Sequence, residues 1–77
     1  MKVTIYTKTG CPYCSRAIQL LKNGGIYYTE YELDPTGGNY TEKRNKLFQR
    51  SGHYSFPIVY FDTKLIGGCS ELAKLLE

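Results

Sequence analysis

Apolar positions alternate at the start of the chain, Val3 and Ile5 against Lys2, Thr4 and Tyr6, and this period of two predicts a strand. The period then changes. Cys14, Ala17, Ile18 and Leu21 fall at i, i+3, i+4 and i+7, the stripe of a helix, and Asn23-Gly24-Gly25 supplies its stop signal. The tyrosine-rich run from Ile26 to Leu33 reads as a second strand, broken by Asp34-Pro35-Thr36-Gly37-Gly38. Asn39 followed by Glu42 has the form of a capping-box variant, opening a helix with Tyr40, Leu47 and Phe48 on one side that ends near Gly52. From Phe56 to Phe61 only Pro57 interrupts an apolar run. A strand buried on both faces is expected there, with the proline at its start, where no ladder hydrogen bond is lost. Asp62-Thr63 turns the chain into a short strand over Lys64 to Ile66, and Leu72, Leu75 and Leu76, after Gly67-Gly68, mark a last helix.

The order is βαβαββα, an α/β arrangement in which the helix between the first two strands makes them parallel and the final hairpin is antiparallel. A chain of 77 residues has room for one small domain. A domain of that size buries only about 60% of the surface its unfolded chain exposes, so its core has to be continuous. The 42% hydrophobic and 22% charged content is ordinary for a folded soluble protein. No apolar run approaches the roughly 20 residues of a membrane span, and the N-terminus lacks the apolar stretch of a signal peptide, so a cytoplasmic, membrane-free setting is expected. A net charge of +3 from singly scattered basic residues describes a solvated surface and gives no case for nucleic acid.

Three cysteines cannot all pair within one chain, and in a reducing compartment Cys11-x-x-Cys14 points to redox or metal chemistry before a permanent staple. Zinc would need a second ligand pair. Only Cys69 and His53 remain, without finger-type spacing, so no metal is expected. A Cys-x-x-Cys at the first strand-to-helix junction of a βαβ unit reads instead as a thioredoxin-like redox site. There Cys11 is the expected N-cap and Pro12 the first helical residue, with Cys14 one turn on. Free backbone N–H groups and the helix dipole favour thiolate over thiol at Cys11, and Lys8 and Arg16 add positive charge nearby. Cys11 is therefore read as the attacking nucleophile. Cys14, which begins the apolar stripe, is read as the more buried resolving thiol that stays protonated until it is needed.

CPYC at residues 11–14, Pro57 before an apolar strand and GGCSEL at 67–72, in that order over nearly the whole chain, resemble a dithiol glutaredoxin. Thioredoxin proper fits less well, since its Trp-Cys-Gly-Pro-Cys signature is missing and the chain has no tryptophan. The resemblance implies a thioredoxin-like fold, a four-stranded mixed sheet flanked by helices, with Pro57 in the cis form. It also implies a glutathione-dependent thiol–disulfide oxidoreductase, a monomer that reduces protein disulfides and protein–glutathione mixed disulfides with glutathione as reductant. Ribonucleotide reductase and glutathionylated enzymes are the kinds of protein partner it suggests.

For the ligand, the resemblance places Lys8 and Arg44 opposite the glycyl carboxylate of glutathione, where the planar Arg fork suits that group. Phe56 offers its backbone to the cysteinyl unit next to Pro57, as a strand edge does for an extended peptide. The family commonly reads Thr-Val-Pro here, whereas this chain reads Ser55-Phe56-Pro57, and Tyr54 stands where arginine is frequent. Gly67 and Gly68 allow close backbone approach, the N–H groups of Cys69 and Ser70 face the γ-glutamyl carboxylate, and Glu71 faces the ligand ammonium. Glu71 reads equally as a helix-start acid complementing the dipole, and Cys69 as a small packed residue. Tyr13, between the thiols, is a candidate contact for glutathione or the target protein. The other tyrosines are expected to face the sheet or cover the core, and His53 to be solvated in its turn. Two further readings stay open: a dimer holding a 2Fe–2S cluster through Cys11 thiolates and glutathione, which Pro12 argues against, and a redoxin fed by thioredoxin reductase.

Overall fold

The computed structural model describes all 77 residues, Met1 to Glu77. Seven elements follow in the order β1 (Val3–Lys8), α1 (Pro12–Asn23), β2 (Thr29–Leu33), α2 (Tyr40–Ser51), β3 (Ile58–Phe61), β4 (Lys64–Gly67) and α3 (Cys69–Leu76). The strands form one sheet in the order β2-β1-β3-β4, with β2 parallel to β1 and the other two pairings antiparallel. This is the thioredoxin-like fold expected from the sequence, a four-stranded mixed sheet with three helices.

Alternation along β1 divides the core. Val3 and Ile5 point to one face, where they meet Ala17 and Leu21 of α1, Val59 of β3 and Leu72 of α3 in a cluster of six buried residues. The opposite face carries a second cluster, Cys11, Cys14, Leu33, Phe56 and Ile58, covered by Tyr6, Tyr40, Leu47 and Phe48 among others. So α1 and α3 pack together on one side, while α2 presents its partly buried Tyr40, Leu47 and Phe48 to the other and buries none of its residues fully.

Three sequence expectations need correction. The strand expected from Ile26 begins only at Thr29, because Ile26 N–H closes the end of α1 by donating to the Leu21 carbonyl at 2.9 Å and Gly25 turns the chain at φ 67°. Ile26 and Tyr28 then serve as lid residues of the first cluster, and the ladder starts where Thr4 meets Thr29. The capping box at Asn39 does not form: its side chain makes no capping bond, and Glu42 instead reaches forward to Lys46 at 3.4 Å on the exposed face. Tyr40 N–H is satisfied by the Gly37 carbonyl at 3.2 Å, so the preceding turn supplies an acceptor for the first helical amide. That turn is itself tied by Thr36, whose amide and hydroxyl both donate to Asp34 Oδ1 and hold the Asp34 carboxyl below its usual value. Lastly, β3 is fully buried only at Ile58 and Val59, while Tyr60 and Phe61, at the end of the strand, are half-covered. The tyrosines divide likewise: Tyr6, Tyr28, Tyr40 and Tyr60 cover the core, whereas Tyr27, Tyr31 and Tyr54 are exposed.

Candidate active site

The β1–α1 junction puts both CPYC thiols at the top of the sheet. Gly10, with φ 78°, turns the chain out of β1, and Cys11 follows in an extended conformation as the N-cap of α1 with Pro12 in the first turn. The cap is made by sulfur: Cys14 N–H donates to Cys11 Sγ at 3.2 Å, the place a serine or aspartate oxygen takes in other helices. Cys11 keeps 8% of its surface exposed and Cys14 3%. Their order of burial is the one the sequence suggests. Burial pushes the Cys14 thiol up to about 12, helped by its hydrogen bond and charge interaction with Cys11 and opposed by the Lys8 backbone and ammonium. A thiol so disposed is a proton-bearing reserve.

Around Cys11 lies a cleft of about 420 Å3 that includes Lys8, Tyr13, Arg44, Tyr54 and Phe56. It therefore brings together Lys8, Tyr13, Arg44 and Phe56 from four separate parts of the chain. Neither Lys8 nor Arg44 has a carboxylate partner, the one side-chain ion pair of the molecule being Glu42–Lys46. Arg44 bonds to Asn45 Oδ1 at 3.2 Å and lies over the Tyr40 and Phe48 rings at 5.7 and 5.8 Å. Arg16, counted in the sequence as a charge near the thiol, is held over the Tyr13 ring at 5.5 Å. The Phe56 carbonyl stands 4.0 Å from Cys11 Sγ, and the Phe56–Pro57 peptide is cis. The ring that replaces the smaller valine turns inward and packs 5.4 Å from Phe48.

On the far side of Pro57 the wall continues with Gly68, where an added Cβ would lie 3.4 Å from the Pro57 carbonyl. Gly67 has φ 123° and a Cβ there would meet Glu71 Oε1 at 2.6 Å, so this glycine is required by its conformation and by close approach. Glu71 Oε1 accepts the Gly68 N–H at 2.7 Å and so caps α3 from its third position. That is the structural role weighed for Glu71, and it leaves one carboxylate oxygen without a hydrogen bond. Cys69 and Ser70 occupy the first turn of α3, where helix N–H groups have no intrahelical acceptor, with Ser70 exposed and Cys69 half-buried against the first core cluster. His53, expected from the sequence to be solvated in its turn, is half-buried, with Nε2 3.4 Å from Ser55 Oγ and 3.1 Å from a Gly68 Cβ position. No local pattern marks it, since its neighbour Gly68 is distant in sequence. No cluster of three or more His, Cys, Asp or Glu side chains is arranged to hold a metal ion.

The glutaredoxin family model matches residues 3–66, most of the chain and all of its CPYC and Pro57 region. The chain belongs to the glutaredoxin family. It is 42% identical over 73 residues to glutaredoxin 3 of Escherichia coli (strain K12), covering 95% of this chain and 83% of that protein. It is 36% identical over 73 residues to a glutaredoxin of Pseudomonas aeruginosa, with 95% and 82% covered. Among solved structures, wheat glutaredoxin superposes with a TM-score of 0.84 at 30% identity, over 95% of this chain and 69% of that one. A buckwheat glutaredoxin–glutathione complex gives 0.83 at 30% identity, over 94% and 64%. As in other glutaredoxins, the paired thiols make the protein a thiol–disulfide oxidoreductase.

Proposed function

We propose that the electrons come from glutathione and that the substrates are protein–glutathione mixed disulfides and protein disulfides. The observation that carries this reading is the cleft beside Cys11, in which two cations without carboxylate partners, Lys8 and Arg44, stand on the same side as a peptide edge at Phe56. Glutathione has two carboxylates, one ammonium and a peptide-like middle. Lys8 and Arg44 suit its glycyl carboxylate, the Phe56 backbone its cysteinyl unit, and the first-turn N–H groups of Cys69 and Ser70 its γ-glutamyl carboxylate. Gly68 and Pro57 form the wall between these ends, the carboxylate of Glu71 suits the ammonium, and Tyr13 suits the bulk of the substrate. A structural neighbour crystallised with glutathione supports the same choice of ligand.

In this mechanism the Cys11 sulfur attacks the glutathione sulfur of a mixed disulfide, releases the protein thiol, and holds glutathione until a second glutathione removes it as the disulfide. With a protein disulfide, Cys11 forms the mixed intermediate, Cys14 displaces the substrate thiol, and two glutathiones restore the dithiol. The test is glutathione-coupled reduction of a small glutathione mixed disulfide and of a protein disulfide, with wild type, Cys11→Ser and Cys14→Ser. Cys11→Ser is expected to be inactive on both, and Cys14→Ser to keep the first activity and lose the second. Equal loss in the two variants, or undiminished turnover when thioredoxin and its reductase replace glutathione, would defeat the reading.

A further inference from the structure

Cys11 has a cleft on each side. The second, of about 300 Å3, lies between α1 and the sheet edge at β2, and it reaches Cys14, Thr7, Glu30 and Glu32. Nothing in the mechanism above uses it. Its charged or titratable residues are Lys8, Cys11, Cys14, Glu30 and Glu32, so two carboxylates share one small polar space with the resolving thiol. The two are not equivalent. Thr7, only 1% exposed on β1, donates its hydroxyl to Glu30 Oε2 at 2.7 Å, which fixes that carboxylate and leaves its second oxygen free. No hydrogen bond or ion pair holds the Glu32 side chain.

The resolving step needs such a group. Cys14 must lose a proton before it can attack, and burial makes that loss costly in neutral solution. We propose that Glu30, positioned by Thr7, is the proton acceptor for Cys14 in the resolving step, acting through a water in the cleft between α1 and β2. The cleft is polar and large enough for water, and Glu30 is exposed on its outer side, so the proton passes on to bulk solvent. The Cys14 S–H proton goes by way of the water to the Glu30 carboxylate, and the sulfur electron pair forms the bond to Cys11 Sγ. The bond between Cys11 and the substrate sulfur breaks, its pair leaves as the substrate thiolate, and that thiolate takes a proton from solvent. Cys11 and Cys14 are oxidised to the disulfide and the substrate is reduced. One side of the junction thus serves ligand binding and the other serves proton removal.

This inference rests on the dithiol half of the proposed function. Its test needs no glutathione, so a failure of glutathione dependence would show in the coupled assay without touching the rate measured here. Reduced protein is treated with 5,5′-dithiobis(2-nitrobenzoate) to load thionitrobenzoate on Cys11, and the first-order release of that group by Cys14 is followed in stopped flow from pH 6 to 8. Wild type is expected to release at a rate nearly independent of pH. Glu30→Gln is expected to be about a hundredfold slower at pH 7 and to accelerate about tenfold per pH unit, as hydroxide replaces the lost base. Glu30→Asp, which retains a carboxylate, is expected to keep the flat profile at an intermediate rate. A Glu30→Gln rate within about twofold of wild type with the same slope would overturn the proposal. So would equal losses in the Gln and Asp variants with both profiles flat, which would make Glu30 a packing residue. Matching thermal melts for the three proteins establish that the comparison is between folded molecules.

Discussion

Residue by residue, the two thiols differ by what surrounds their sulfur. Both belong to the cluster with Leu33, Phe56 and Ile58, but Cys11 Sγ accepts a backbone N–H and borders two clefts, whereas Cys14 is the more buried and reaches only one. In a Cys11→Ser variant, burial still protects Cys14, and its alkylation by iodoacetamide at pH 8 is expected to be more than tenfold slower in the folded protein than in guanidinium, read by mass spectrometry. The same burial has a pH consequence. Since the folded-state thiol holds its proton up to about 12 against an ordinary value of 9.0, the unfolded chain binds fewer protons between those limits. Stability contributed at this position is therefore complete below pH 9 and falls as the pH rises toward 12. Urea titrations under reducing conditions at pH 8 and pH 10 are expected to show a larger loss in wild type than in Cys14→Ser. The order of burial of the two thiols was legible in the sequence, because Pro12 and the apolar stripe at Cys14, Ala17, Ile18 and Leu21 fix the helix start locally. His53 was not, since only the tertiary fold brings it beside Gly68.

Helices and strands were legible where one signal acted alone and displaced by a few residues where two competed. Gly52 ends α2 in the left-handed conformation with its N–H on Phe48 O at 2.8 Å, as its place in the sequence suggests. The start of β2 was misread because Ile26, Tyr27 and Tyr28 have strand propensity but lie within reach of the α1 carbonyls, and helix closure took Ile26 first. At Asn39 a capping motif was present in letters, yet the Asn39 side chain makes no capping bond and Glu42, which would have reached back to the Asn39 N–H, pairs with Lys46 instead. The start of α3 was also read from its glycines, and it gives the sharpest expectation at this scale. Gly67→Ala combines φ 123° with a contact of 2.6 Å to Glu71 Oε1 and is expected to cost about 1–3 kcal/mol in urea denaturation. Glu71→Ala, which removes the acceptor for Gly68 N–H, is expected to cost about 1 kcal/mol, and Glu71→Gln less, because the amide oxygen still accepts.

For the whole molecule, a domain of this size has a total stability of about 5–10 kcal/mol, so single core truncations are serious. Leu21→Ala or Leu72→Ala, each removing a fully buried side chain from the first cluster, is expected to cost about 2–5 kcal/mol and to bring the denaturation midpoint down accordingly. The element order and the mixed sheet were readable from the periodicities alone, but not that the core is split in two by the sheet. The six-residue cluster under α1 and α3 is the frame, and the thiols belong to the other half, under a helix with no fully buried residue. A helix attached so lightly detaches first. Amide exchange is expected to run faster along Tyr40–Ser51 than along β1 and α1, and mild denaturant to silence electron transfer while the frame persists. The helix that lines the thiol cleft is then a hinged cap on a standing scaffold, and the closed site has a lower melting point than the frame that carries the thiols.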